Sequence, residues 1–129
     1  MEKAYVFLAD GFEEIEGLTV VDILRRAGAD TQTVSVMGRK EITGSHRITL
    51  QADLVFEETS FEDGTLFVLP GGMPGTKHLG AHEGLTSLLK KAAAEGKEWQ
   101  QSARHRVYLA ILACWKENMR SAIRDSRIV

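Results

Sequence analysis

One cysteine, Cys114, occurs in 129 residues, which excludes a disulfide framework or a multi-cysteine metal knuckle and fits a reducing, cytoplasmic compartment. Charge of one sign is also scarce: sixteen basic against eighteen acidic side chains give a net charge of −2. Neither nucleic acid nor a membrane surface is therefore an expected partner. No long hydrophobic run opens the chain, because Lys3–Ala9 is too short and too poorly flanked for a signal peptide or a membrane span. What is left is an ordinary soluble domain, 43% apolar and 26% charged. A domain of this size buries roughly two-thirds of its unfolded surface, enough for a core without staples.

The scarce residues are unevenly placed. All twelve glycines and both prolines lie before Lys97, whereas both tryptophans and the cysteine follow it. Up to Lys97 there are ten basic and fifteen acidic residues, and from Glu98 on there are six and three. This break divides the chain into residues 1–97 and a tail, 98–129, of different character.

Before the break the chain reads as α/β. Ala4–Ala9 is a continuous apolar run, as expected of a strand covered on both faces. Glu14 to Ala27 carries Ile15, Leu18, Val21, Ile23, Leu24 and Ala27 at near-helical spacing, and Gly28 is placed to stop the helix. Thr31–Val36 alternates as a strand, and Glu41–Thr43 and Arg47–Leu50 flank Gly44-Ser45 as a small hairpin. Ala52–Phe56 and Leu66–Leu69 read as strands, and His82–Ala94 as a helix with Leu85, Leu88, Leu89 and Ala92 on one stripe. This order predicts a mostly parallel sheet with helices on both faces, whose functional crevice lies beyond the carboxyl ends of the strands.

Two segments fall at that edge. After the first strand come Asp10-Gly11-Phe12-Glu13-Glu14-Ile15-Glu16. Acids at a helix N-terminus suit its dipole, but three carboxylates would repel a phosphate, which argues against a dinucleotide site. Glu13 and Glu14 are expected to face solvent, and Glu16 to point inward over the strand end. Held in a dry crevice, the Glu16 carboxyl is expected to stay protonated and to donate to a neighbouring anion. After the later strand comes Pro70-Gly71-Gly72-Met73-Pro74-Gly75. On spacing alone it reads first as a plain tight turn; its functional reading is a loop whose Gly71 and Gly72 N–H groups face a developing oxyanion.

In this order, DGFEEIE, DILRRAGA, GSHRI, QADLVFEE and LPGGMPG resemble the ThiJ/PfpI superfamily over Met1 to about Lys97. The resemblance implies a flavodoxin-like sandwich that dimerises with a second copy and needs no cofactor. It also implies glyoxalase or protein deglycase activity on reactive dicarbonyls or glycated substrates, with chaperone and peptidase activities in some members. By the same resemblance Glu16 is the carboxyl that hydrogen-bonds a nucleophilic cysteine, Gly71 and Gly72 help form the anion pocket, and His46 falls where a polar residue often lies near the site.

The departure comes after Glu95-Gly96-Lys97. Members of the superfamily continue with a strand reading Gly-x-Ala-Ala-Ile-Cys-Ala-x-Pro, its cysteine on an exposed elbow. Here Glu98-Trp99-Gln100-Gln101-Ser102-Ala103-Arg104-His105 follows, with neither elbow nor cysteine. One base restored between the codons for Lys97 and Glu98 lets this stretch spell Gly-Met-Ala-Ala-Ile-Cys-Ala-Pro. Shifted likewise, Cys114 to Arg127 permit a second superfamily-like stretch. Residues 98–129 therefore read as an out-of-frame tail that lacks the nucleophile and truncates the sheet. The sheet is then expected to leave Ala4–Ala9 and Leu66–Leu69 short of a neighbour, and the apolar run Val107–Trp115 to burden the fold.

Cys114 sits between Ala113 and Trp115 within that run, a setting for an inert thiol and not for a reactive thiolate. Among His46, His78, His82 and His105, only His78 and His82 have ligand-like spacing. With Glu83 the sole third ligand nearby, no metal site is expected. Two functions stay open: a dicarbonyl-handling enzyme whose nucleophile this chain lacks, and a non-catalytic binding or chaperone-like module.

Overall fold

The computed structural model describes residues 3–101, with the backbone alone for Glu98–Gln101. Cys114, His105 and the run Val107–Trp115 lie outside the described residues. Strand β1 (Lys3–Leu8) leads through helix α1 (Glu14–Arg26) to β2 (Asp30–Ser35), then to a hairpin of β3 (Glu41–Thr43) and β4 (Thr49–Gln51). A two-residue β5 (Leu54–Val55) runs into the 3₁₀ turn Phe56–Glu58, and β6 (Leu66–Leu69) is followed by α2 (Gly75–Ala81), α3 (Glu83–Ala94) and β7 (Glu98–Gln101). The main sheet is ordered β5-β2-β1-β6-β7, and all of its pairings are parallel.

The apolar run of β1 reflects its central place. Ala4, Val6 and Leu8 face α1 and pack with Val20, Val21 and Leu24. Tyr5, Phe7 and Ala9 point to the other side, where Phe67, Leu79 and Leu85 complete a second core under α2 and α3. A strand whose alternate side chains meet helices on opposite faces needs apolar residues at every position. Among the described residues, no helix is long and apolar enough to cross a membrane.

Several elements differ from the sequence reading. The second hairpin strand begins at Thr49 and not Arg47, because Arg47 adopts φ 65° inside the turn. Ala52–Phe56 yields only two strand residues before the 3₁₀ turn. The stripe assigned to α1 is rotated: Ile15 and Leu18 are exposed, and Val20 and Gly17 lie inside. A Cβ at Gly17 would stand 2.8 Å from the Phe12 ring, so the missing side chain lets the aromatic ring seat against the helix. Helix α2, placed in no element from the sequence, is short and weakly patterned, with only Gly75 and Leu79 buried.

The largest correction concerns the sheet edge. The sequence reading places no strand after Lys97, yet β7 pairs with β6 in parallel, Leu66 beside Glu98 and Leu69 beside Gln101. The turn delivering it precedes the compositional break: Gly96 (φ 74°) donates to Ala93 O and Lys97 N–H to Ala92 O. Backbone bonds set this pairing, so it needs no particular side chains. The sequence Glu-Trp-Gln-Gln still lacks the apolar character of a parallel strand covered on both faces.

Candidate active site at the carboxyl ends of β1 and β6

Glu13 opens α1 as its N-cap, its carboxylate accepting from the N–H groups of Ile15 (3.3 Å) and Glu16 (2.9 Å). This cap fixes the first turn and so aims Glu16. Glu16 is buried, and its Oε2 accepts the N–H of Gly71 at 2.8 Å. Gly71 is also held from the other side, since its carbonyl accepts the Glu13 N–H at 2.8 Å. The Glu16 side chain thus runs inward over the strand end and joins the loop after β1 to the loop after β6.

The glycines of the second loop serve that junction. A Cβ at Gly72, whose φ is 109°, would stand 2.4 Å from Glu13 N, and one at Gly75 would stand 2.6 Å from Phe12 N. From the first loop, a Cβ on Gly11 would stand 2.3 Å from Pro74 Cδ. Backbone meets backbone here, at distances only glycine permits. The Gly71 N–H faces the Glu16 carboxyl, and among the described residues no acceptor is bonded to the Gly72 N–H.

The reading of Glu13 and Glu14 as solvent-facing is corrected. Glu13 is the cap, and the Glu14 side chain is only 4% exposed. Glu14 Oε2 accepts the N–H groups of His46 (2.9 Å) and Ile48 (3.3 Å), and Oε1 lies 2.9 Å from His46 Nδ1 and 3.3 Å from Ser45 Oγ. A Cβ at Gly44 would stand 2.2 Å from the carboxyl carbon, so the hairpin turn is shaped around this group. Burial pushes the Glu14 carboxyl up, but the hydrogen bonds from His46 and the turn backbone outweigh it and hold the group at about 2. The same bond raises His46 above its ordinary value. The sequence signal for this contact is the pairing of an acidic helix start with Gly-Ser-His, which spacing alone does not join.

Glu13, Glu14 and His46 could each offer a metal one atom within 4.8 Å of the others. The Glu13 and Glu14 carboxylates already accept from the helix cap and the hairpin turn, and His46 Nδ1 donates to Glu14. His82 is likewise engaged at both ring nitrogens, by Leu85 N–H and by Glu57. A cleft of about 350 Å³ lined by Phe61, Phe67, Leu88 and Ala92 opens at the amino ends of β6 and β7, away from Glu16.

The model of the DJ-1/PfpI family matches residues 2–100. The chain belongs to the DJ-1/PfpI family. It is 34% identical over 92 residues to Protein DJ-1 homolog B of Arabidopsis thaliana, covering 71% of this chain and 21% of that protein. It is 30% identical over 95 residues to a deglycase of Thermococcus kodakarensis, covering 74% and 56%. The solved structure of oxidized Toxoplasma gondii DJ-1 superposes with a TM-score of 0.76 at 33% identity, over 78% of this chain and 55% of that one. Drosophila melanogaster DJ-1beta gives 0.75 at 26% identity, over 89% and 60%. The DJ-1/PfpI match thus extends across the start of β7, and the chain spans from about a fifth to just over half of these curated relatives.

Proposed function

We propose that the site around Glu16 is built for glyoxalase or protein deglycase chemistry on reactive dicarbonyls, and that the present tail leaves it without a nucleophile. The observation that carries this reading is the buried Glu16 carboxyl bonded to Gly71 N–H at the carboxyl ends of β1 and β6. Relatives named as deglycases, 30% and 32% identical to this chain, support it. In a complete site a cysteine thiolate adds to the aldehyde carbon, forming a C–S bond and leaving an alkoxide. Glu16, which takes the cysteine proton as the thiolate forms, delivers it to the alkoxide, and the Gly72 N–H faces the alkoxide while Gly71 keeps Glu16 in place. No cofactor takes part. β7 ends at Gln101 and is followed by Ser102-Ala103-Arg104, where the superfamily pattern sets its cysteine. The out-of-frame origin of residues 98–129 accounts for that substitution.

Methylglyoxal consumption by the purified 129-residue chain tests the proposal. The expected result is no turnover, with activity gained when the frame-restored stretch replaces the tail and lost again in Glu16→Gln. Turnover by the present chain that needs Glu16 but survives Cys114→Ser would contradict the missing nucleophile.

The second reading, a non-catalytic chaperone-like or binding module, draws on exposed apolar side chains: Ile15 and Leu18 on α1, Ile48 in the hairpin and Met73. Ile48 and Ile15 share one corner, since Glu14, next to Ile15, accepts the Ile48 N–H. A second copy of the chain is the partner proposed to cover that corner, and sedimentation of the chain at micromolar concentration would show a dimer if it does.

A further inference from the structure

We propose that His82 is an acid-sensitive latch at the junction of α2 and α3, holding the first turn of α3 when its ring is neutral and releasing it when the ring takes a second proton. His82 ends one helix and begins the next: its N–H donates to Leu79 O at 3.3 Å, and its carbonyl accepts Thr86 N–H at 3.1 Å. Its ring is the N-cap of α3, with Nδ1 3.0 Å from the Leu85 N–H. A backbone N–H can only donate, so Nδ1 must be the unprotonated nitrogen. The proton then sits on Nε2, which donates to Glu57 Oε1 at 2.9 Å.

The ring is held in this orientation by its surroundings. It meets the Phe56 ring edge-on at 4.6 Å, and the side chain is only 17% exposed. A Cβ on Gly84 would stand 2.8 Å from the Phe56 ring and 3.1 Å from His82 Cε1, so glycine lets both rings close on the helix start. On the elements that meet at the junction, the nearby titratable groups are Glu57 and Glu58 on the 3₁₀ turn, Glu83 at the first position of α3, and Lys77 and His78 on α2. Of these, Glu57 is bonded to the ring, and that bond holds its carboxyl below the usual range.

Protonation at Nδ1 sets a donor against the Leu85 donor. The cap is lost while the ring gains charge opposite Glu57, so His82 stays with the 3₁₀ turn and parts from α3. Leu85 is fully buried in the core beneath α3, so release of its N–H loosens a turn that the core depends on. Serine, threonine, aspartate and asparagine are the common N-caps, and unlike serine, threonine or asparagine a histidine loses its acceptor when its ring takes a second proton.

Amide hydrogen exchange and imidazole ¹⁵N shifts on the full chain test this. The expected neutral form is the Nε2–H tautomer. Protection of the Leu85 amide, corrected for intrinsic exchange, should fall about fivefold on acidification from about pH 8 to about pH 5, the effect of losing one cap. His82→Asn, which caps without titrating, should hold that protection constant. An Nδ1–H tautomer, or a Leu85 response identical in the wild type and His82→Asn, would overturn the latch. Should His82→Asn fail to fold, the wild-type tautomer together with the Leu85 response decides: Nε2–H with a fall supports it, and either one missing overturns it.

Discussion

Glu16 and Gly71, 55 residues apart in sequence, are joined by one hydrogen bond of 2.8 Å from the glycine N–H to the buried carboxyl. This bond ties the helix start after β1 to the loop after β6, and the candidate site is the space around it.

Removing that acceptor should cost stability before any chemistry is considered. Glu16→Ala leaves the Gly71 N–H without its partner and is expected to destabilise the fold by about 1–3 kcal/mol. Glu16→Gln keeps an acceptor oxygen and should cost less. Urea denaturation of the two variants, followed by circular dichroism, gives the comparison.

The loop glycines should separate into two classes. Gly72→Ala sets a Cβ 2.4 Å from Glu13 N at φ 109°, and overpacking of this kind costs about 1–3 kcal/mol. Gly80 lies in α2, and a Cβ added there would meet nothing within 4 Å, so Gly80→Ala should stabilise by about 0.5–1 kcal/mol. Thermal melting of both variants against the parent would show opposite shifts in Tm.

The Glu14–His46 contact predicts a pH profile with two flanks. Glu14 is depressed to about 2 from its usual 4.5, so its contribution is present above about 4.5 and lost as pH falls toward 2. His46 is raised above 6.5; its contribution is full below that value and disappears as pH rises through its higher folded value. The stability difference between the parent and Glu14→Gln should therefore be largest between these limits and shrink on either side. A difference independent of pH would contradict the contact.

Much of the sheet is legible in the sequence because β1 is covered on both faces, and burial of every side chain leaves a continuous apolar run. The inward course of Glu16 is legible because its place in the acidic turn aims it over the strand end, where its bond to Gly71 is found. The burial of Glu14 is not, since it depends on a hairpin turn over thirty residues away that folds around its carboxyl. The same limit hides the role of His82, whose nitrogens are assigned only by the Leu85 N–H and by Glu57. Strand β7 escapes a sequence reading because its pairing with β6 rests on backbone bonds and the Gly96 turn, to which the polar residues after Lys97 give no clue.

We propose that the DJ-1/PfpI domain holding Glu16 and Gly71 continues past Lys97 in the wrong reading frame. The nucleotide sequence across the codons for Gly96 to His105, read on through those for Cys114 to Arg127, tests it most directly. The account predicts that one added base after the Lys97 codon spells Ala-Ile-Cys-Ala in line with β7. Third bases that cannot encode that stretch in any frame would contradict it and make residues 98–129 native sequence.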